Sequence, residues 1–143
     1  MLPLVLSADL REQIEREGAE AFPNECCGIM FGQDRDGKRV VRRLQPVANV
    51  YDPEERYHRF SIDGKQLIEA EKQAADAGEM VLGFYHSHPD HPARPSETDR
   101  QAAWPFYSYI IVSIMNRRPA AMTSWVLEES TEEFREQTIT QPF

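Results

Sequence analysis

The chain has 143 residues, of which 41% are hydrophobic, and it carries a formal charge of −8 at pH 7. This length suffices for a hydrophobic core, so we expect one domain spanning residues 1–143. The acidic balance argues against nucleic acid or an anionic membrane as a partner, since both favour basic surfaces. No stretch approaches the roughly 18 apolar residues of a membrane span, and the first residues lack the basic start of a signal peptide, so we expect a cytoplasmic protein.

The first half of the chain carries alternating helix and strand signals. The predicted elements are a helix over 8–21, strands over 26–33, 38–47 and 57–61, and a helix over 63–77. Ser7 is a suitable N-cap for the first helix, and Gly78 is placed to end the second. The sequence Asp-Arg-Asp-Gly over 34–37 is a strong hairpin signal between the first two strands.

The second half begins with an apolar run. The predicted elements are a strand over 79–89, a helix from 96 toward 104, strands over 108–114 and 122–128 joined by a turn over 116–119, and a weak helix or strand over 131–137. Strands mixed with three helices predict an α/β fold with helices on both faces of a sheet. We therefore expect a three-layer α/β/α sandwich with a mixed, mainly antiparallel sheet.

A set of metal-binding residue types begins at the end of this apolar strand. His86 and His88 are two residues apart on it, so their side chains share one face, and imidazole nitrogen suits zinc. Pro89 ends the strand, and Ser96 is a suitable N-cap for the next helix, which turns Asp99 back toward the strand end. Two histidines and one aspartate supply three ligands and leave a fourth position for water, which is the pattern of catalytic zinc.

A zinc-bound water also needs a nearby carboxylate that accepts its proton without binding the metal. Glu25 lies at the junction of the first predicted helix and the first long strand, and it is the candidate for this role. Its spacing alone does not distinguish it from the other acidic residues of the chain.

Taken together, these residues fill every position of a known motif: Glu25, His86, Ser87, His88, Ser96 and Asp99. They resemble the JAMM motif of the MPN-domain metallopeptidases, the JAB1/MPN/Mov34 group, in its short stand-alone prokaryotic form. The resemblance covers roughly residues 1–127 and implies the same α/β/α fold. It implies that the two histidines and Asp99 bind one Zn²⁺ per chain, that Glu25 carries the proton of the zinc water to the leaving amine, and that Ser96 stabilises the oxyanion.

The same resemblance implies a zinc peptidase or isopeptidase that hydrolyses an amide bond at the C-terminus of a small ubiquitin-like or sulfur-carrier protein. A Gly-Gly tail is expected to lie as an extra strand in a groove formed by residues 51–60 and 90–95. Two alternatives stay open, a non-catalytic MPN scaffold that binds other proteins and a phage-tail or cell-wall peptidase. The complete ligand set disfavours the first, and the lack of a cell-wall hydrolase domain in this sequence disfavours the second.

The remaining reactive residues have simpler interpretations. Cys26 and Cys27 are the only cysteines, and adjacent strand residues point to opposite faces, which disfavours a mutual disulfide or a shared metal. We expect both cysteines to be small, buried hydrophobic side chains, and their lack of a disulfide fits a protein of a reducing compartment. The alternative is a cysteine nucleophile paired to a histidine. We expect His58 and His91 to be surface residues.

Overall fold

The computed structural model describes residues 1–48 and 62–142, which contain three helices and eight strands. The helices are α1 (Ala8–Ala21), α2 (Gly64–Asp76) and α3 (Glu97–Ala102). The strands are β1 (Leu4–Val5), β2 (Cys27–Arg35), β3 (Lys38–Val47), β4 (Met80–Pro89), β5 (Ser108–Met115), β6 (Arg118–Glu128), β7 (Glu133–Gln137) and β8 (Ile139–Thr140). The strand predicted over 57–61, and with it His58, lies outside the described residues.

All eight strands belong to one sheet, in the order β7-β6-β5-β4-β2-β3-β1-β8. The pairs β2–β3, β2–β4, β5–β6 and β6–β7 are antiparallel, whereas β1–β3, β1–β8 and β4–β5 are parallel. The prediction of a mixed, mainly antiparallel sheet is confirmed. Strands β7 and β8 are separated only by Thr138 yet lie at opposite ends of this order, so the sheet curls until its two edges meet.

Helices cover both faces of the sheet. On one face, α1 buries Ile14 in a core cluster with Leu82. On the other face, α2 buries Ala74 in a second cluster with Val81 and Phe84. Because each face of β4 lies against a helix, this strand is apolar in both alternating positions rather than in one. The predicted three-layer α/β/α sandwich is confirmed.

Local sequence signals set most helix boundaries as predicted. The Ser7 hydroxyl accepts a hydrogen bond from the backbone N–H of Leu10 at 3.3 Å and begins α1. Asp63 and Gln66 form a reciprocal capping box at the start of α2. Gly78 follows α2 with a φ of +70°, the left-handed conformation that favours glycine.

Some strand boundaries differ from the prediction. Strand β6 begins at Arg118 rather than at residue 122, because Asn116 and Arg117 alone form the hairpin turn, with φ values of 50° and 70°. The weak final element is a strand, β7. Strands β1 and β8 were not predicted, because two residues carry no alternating pattern and their partners are distant in sequence.

Among the described helices, none is long and apolar enough to span a membrane.

Candidate metal centre

Strand β4 positions two histidines at one point. His86 and His88 are 1% and 7% exposed, and their Nε2 atoms lie 3.1 Å apart. Ser87, between them, projects to the opposite side of the strand, where its Oγ accepts a hydrogen bond from the backbone N–H of Cys26 at 2.8 Å. The strand therefore presents both imidazoles on one face, as the alternation predicts.

Asp99 reaches the same point from α3. Its Oδ1 lies 3.3 Å from Nε2 of His86, and its Oδ2 lies 3.1 Å from Nε2 of His88. Within the described part of the chain, these three residues form the one group whose possible ligand atoms lie within 4.8 Å of one another. The structure thus brings together the three residues predicted to bind the metal.

The separations between these atoms fit zinc. Zn–N distances of about 2.0–2.1 Å in a tetrahedral site place neighbouring ligand atoms about 3.3 Å apart, and the separations here are 3.1 and 3.3 Å. In addition, Nδ1 of His88 lies 3.0 Å from the carbonyl oxygen of Pro92. An Nδ1–H that donates to this carbonyl leaves a lone pair on Nε2 for a metal ion.

Burial and mutual contact set the charges of the three side chains. Burial lowers the pKa of His86, which favours the neutral ring. Burial would also lower the pKa of His88, but the hydrogen bond and charge of Asp99 prevail and raise it. Burial would raise the pKa of Asp99, yet the attraction and hydrogen bonds of the two imidazoles hold it well below its usual range. An ionised carboxylate therefore lies beside the rings, as cation binding requires.

Ser96 begins α3 and fixes the orientation of Asp99. The Ser96 hydroxyl oxygen accepts the backbone N–H of Asp99 at 3.0 Å, and the Ser96 backbone N–H donates to Oδ2 of Asp99 at 2.9 Å. This reciprocal pair is a capping box. Because the hydroxyl oxygen is the acceptor in this contact, its hydrogen is directed elsewhere, and the exposed side chain can donate it to a substrate oxygen.

Two residues that no sequence motif marks hold the loop over 89–95. The Ser113 hydroxyl on β5 donates to the carbonyl of His91 at 2.5 Å, and the Thr123 hydroxyl on β6 donates to the carbonyl of Ala93 at 2.6 Å. The carbonyl group between these two belongs to Pro92, and it contacts the imidazole of His88. Three successive carbonyl groups of this loop are therefore held by side chains. The sequence does not mark these two hydroxyls, because each strand contains another serine, Ser108 in β5 and Ser124 in β6.

Strand pairing places Glu25 beside the histidines. Cys27 pairs with His86 in the β2–β4 register, and continuing this antiparallel register places Glu25 opposite His88 on the same face. Glu25 is 5% exposed. Its burial raises its pKa to about 8, although the imidazole of His88 acts in the opposite direction. A carboxyl group with a pKa near neutrality can both accept and donate a proton.

The two cysteines lie at packed positions and are not reactive thiols: Cys27 is buried and Cys26 is half-buried. Cys26 packs against the core cluster under α1, whereas the Cys27 thiol lies 3.4 Å from the carbonyl oxygen of Val47. Burial raises the pKa of both thiols to about 12, so the thiolate form is disfavoured near neutral pH. This supports packed hydrophobic side chains over a cysteine nucleophile, and the predicted burial is complete for Cys27 and partial for Cys26. His91 is exposed, as predicted.

Known proteins of similar sequence belong to one family. Residues 7–128 match the model of a family described as prokaryotic homologs of the JAB domain. The desampylase of Haloferax volcanii is 38% identical over 142 residues, which cover 95% of this chain and 94% of that protein. The CysO-cysteine peptidase of Mycobacterium tuberculosis is 31% identical over 112 residues, which cover 77% of this chain and 73% of that protein.

A solved structure has a similar fold. The solution structure of a protein from Desulfitobacterium hafniense matches with a TM-score of 0.81 and 30% sequence identity, covering 97% of this chain and 92% of that one. The two curated relatives carry the names of hydrolytic enzymes, which confirms the interpretation of this chain as an enzyme of that kind. The chain belongs to the prokaryotic homologs of the JAB domain, and the predicted membership of the JAMM/MPN metallopeptidase group is confirmed.

Proposed function

We propose that the protein is a zinc-dependent peptidase or isopeptidase that hydrolyses an amide bond at the C-terminus of a ubiquitin-like or sulfur-carrier protein. The observation that carries this proposal is the convergence of His86, His88 and Asp99 at separations that fit zinc. Glu25 is buried beside them with a raised pKa. A scaffold that only binds other proteins has no need of these four side chains in this arrangement.

Each of the five side chains has a separate role in this proposal. His86, His88 and Asp99 hold one Zn²⁺. When bound, the ion supplies a positive charge that acidifies water and polarises the scissile carbonyl. Glu25 accepts a proton from the attacking water and passes it to the departing amine, while Ser96 donates its hydroxyl hydrogen to the oxygen on which negative charge develops. The amide C–N bond breaks, so that one product leaves as a carboxylate and the other as an amine.

The names of the relatives support the substrate class. One is a desampylase and the other a CysO-cysteine peptidase. For this chain, both names fit a substrate in which the C-terminus of a small ubiquitin-like or sulfur-carrier protein is joined to another molecule through an amide bond. We infer that a narrow Gly-Gly tail is the recognised segment, although residues 51–60 of the predicted groove lie outside the described part of the structure. The formal charge of −8 favours a neutral or basic tail, and two free thiols favour action in the cytoplasm.

Metal analysis is the first test of this function. The purified protein should contain about one zinc per chain, and the His88→Ala variant should contain none while keeping its circular dichroism spectrum. The zinc-loaded protein, and not the variant, should cleave a sulfur-carrier protein that is extended beyond its C-terminal Gly-Gly. A folded protein that binds no zinc even after the metal is added would contradict the proposal and favour the binding scaffold.

A further inference from the structure

The loop that leaves β4 folds back onto the ring of His88. Strand β4 ends at Pro89, and the carbonyl oxygen of Pro92 lies 3.0 Å from Nδ1 of His88. The chain therefore reverses its direction between these two prolines. A proline ring fixes φ at about −65°, so neither proline can supply an unusual backbone conformation. The reversal depends on the two residues between them, Asp90 and His91.

Asp90 supplies the unusual conformation of this reversal. Its φ is +55°, and it is the one residue of the loop over 89–95 with a positive φ. Most residues with a side chain are strained in this left-handed region. Aspartate and asparagine tolerate it better than alanine does, because their short polar groups can form hydrogen bonds with nearby backbone. The type of residue at position 90 therefore affects the path of the loop.

The Asp90 carboxylate is attached to the turn between β5 and β6. Its Oδ1 accepts the backbone N–H of Asn116 at 2.8 Å, and the backbone N–H of Asp90 donates to the carbonyl of Ile114 at 2.7 Å. The turn is held from its other side as well, because the guanidinium carbon of Arg117 lies 5.3 Å from the centroid of the Phe22 ring, beside the end of α1. Asp90 is thus joined by backbone and side chain to a turn that packs on the rest of the fold.

We propose that Asp90 is a positioning residue of the metal centre. This inference rests on the proposed function. The group of possible metal ligands among the described residues does not include Asp90, so Asp90 acts through His88. Its left-handed backbone and its contact with the turn place the Pro92 carbonyl where it accepts the Nδ1–H of His88 and leaves Nε2 for the metal. Without them the loop relaxes, and metal binding must restore the strained path, which lowers the affinity.

Three substitutions separate the backbone of Asp90 from its carboxylate, and chelator competition measures the zinc affinity of each variant. Asp90→Asn keeps an acceptor oxygen and tolerates the left-handed region, so zinc affinity should stay within about twofold of the original. Asp90→Gly keeps the backbone conformation but loses the acceptor, and should weaken zinc binding about three- to tenfold. Asp90→Ala loses both and should weaken it about 10–100-fold.

Two further measurements report the geometry of the centre and not the stability of the fold. With Co²⁺ in place of zinc, the visible absorption bands depend on ligand geometry, so they should shift in Asp90→Ala and not in Asp90→Asn. At saturating zinc, kcat for a sulfur-carrier protein extended beyond its Gly-Gly should fall about tenfold in Asp90→Ala. KM should stay within about twofold, because the substitution does not remove a residue that binds the tail.

Asp36→Ala is the matched control. Asp36 is also an exposed aspartate, with a φ of +52°, but it lies in the turn between β2 and β3. Both alanine variants should lower the free energy of unfolding of the zinc-free protein, whereas only Asp90→Ala should change the zinc affinity and the cobalt spectrum.

Two results would overturn the inference and leave the peptidase function intact. One is an unchanged zinc affinity in Asp90→Ala. The other is a loss of affinity in Asp90→Asn as large as that in Asp90→Ala, which would assign the effect to the charge and not to the path of the loop. An original protein that binds no zinc would overturn the proposed function itself, and the inference with it.

Discussion

The candidate metal centre consists of two halves that are held in different ways. The strand half, Glu25, His86 and His88, lies in or directly beside paired strands with helices over both faces. The loop half, Ser96 and Asp99, lies at the start of α3, a helix of six residues in which none is buried. Backbone pairing fixes the strand half regardless of most side chains, whereas the loop half depends on individual side-chain hydrogen bonds.

Two of those hydrogen bonds come from neighbouring strands, and a reciprocal pair lies within the loop half. Ser113 and Thr123 hold two loop carbonyls from β5 and β6, and the capping box holds the carboxylate of Asp99. A metal centre with a fixed ligand set can therefore depend on residues that its motif does not include. Substitutions in the two halves should therefore differ in their effects on zinc binding, catalysis and stability.

The largest effect is expected from Asp99→Ala, which removes the only ligand supplied by the loop half. Zinc binding should be lost, with occupancy well below one per chain, and hydrolysis should be lost with it. Glu97→Ala, which removes an exposed carboxylate from the same first turn, is the matched control and should retain zinc. Full zinc occupancy in the Asp99 variant, measured by elemental analysis, would show that the third ligand is a different residue.

In the strand half, Glu25→Gln should separate chemistry from metal binding. The amide keeps the size of the side chain but cannot accept the proton, so kcat should fall by about 10²–10⁴ while zinc remains bound. Glu20→Gln changes another acidic residue that lines the same open recess as Glu25, and it should keep full activity. A Glu25 variant with normal turnover would rule out the role of general base.

A smaller effect is expected from Thr123→Val, which tests the dependence of the loop half on a distant side chain. The variant keeps the shape of the residue but loses the hydroxyl that holds Ala93, so zinc affinity should fall about 10–100-fold in a chelator competition. Ser124→Ala is the control, because its buried hydroxyl lies on the same strand and donates to Gln137 instead of the loop. Thr123→Ser should restore the affinity, and an affinity that is unchanged in the valine variant would show that the loop holds its shape without this contact.

The two halves also differ in how far the sequence predicts them. The apolar run before His86 predicts β4, and Ser96 predicts the start of α3, because both signals are local. Glu25 required the resemblance to a family, since its position beside His88 follows from a pairing between segments about sixty residues apart. The contact of Thr123 with the loop had no local signal at all, because a hydroxyl residue in a strand has the same appearance whether it faces solvent or holds a carbonyl.

The smallest effect on the metal is expected from Ser87→Ala, in the middle of the strand half. Its hydroxyl accepts the N–H of Cys26 on the face opposite the imidazoles, and Gly18 of α1 packs close to its Cβ, which a small side chain permits. Loss of this acceptor should lower the free energy of unfolding by about 1–3 kcal/mol, measured by urea denaturation of the zinc-free protein. Zinc affinity of the folded variant should remain within about twofold of the original, because β4 is still paired with β2 and β5 and still presents both rings. A loss of affinity as large as that expected for Thr123→Val would show that the strand half, too, depends on single side chains.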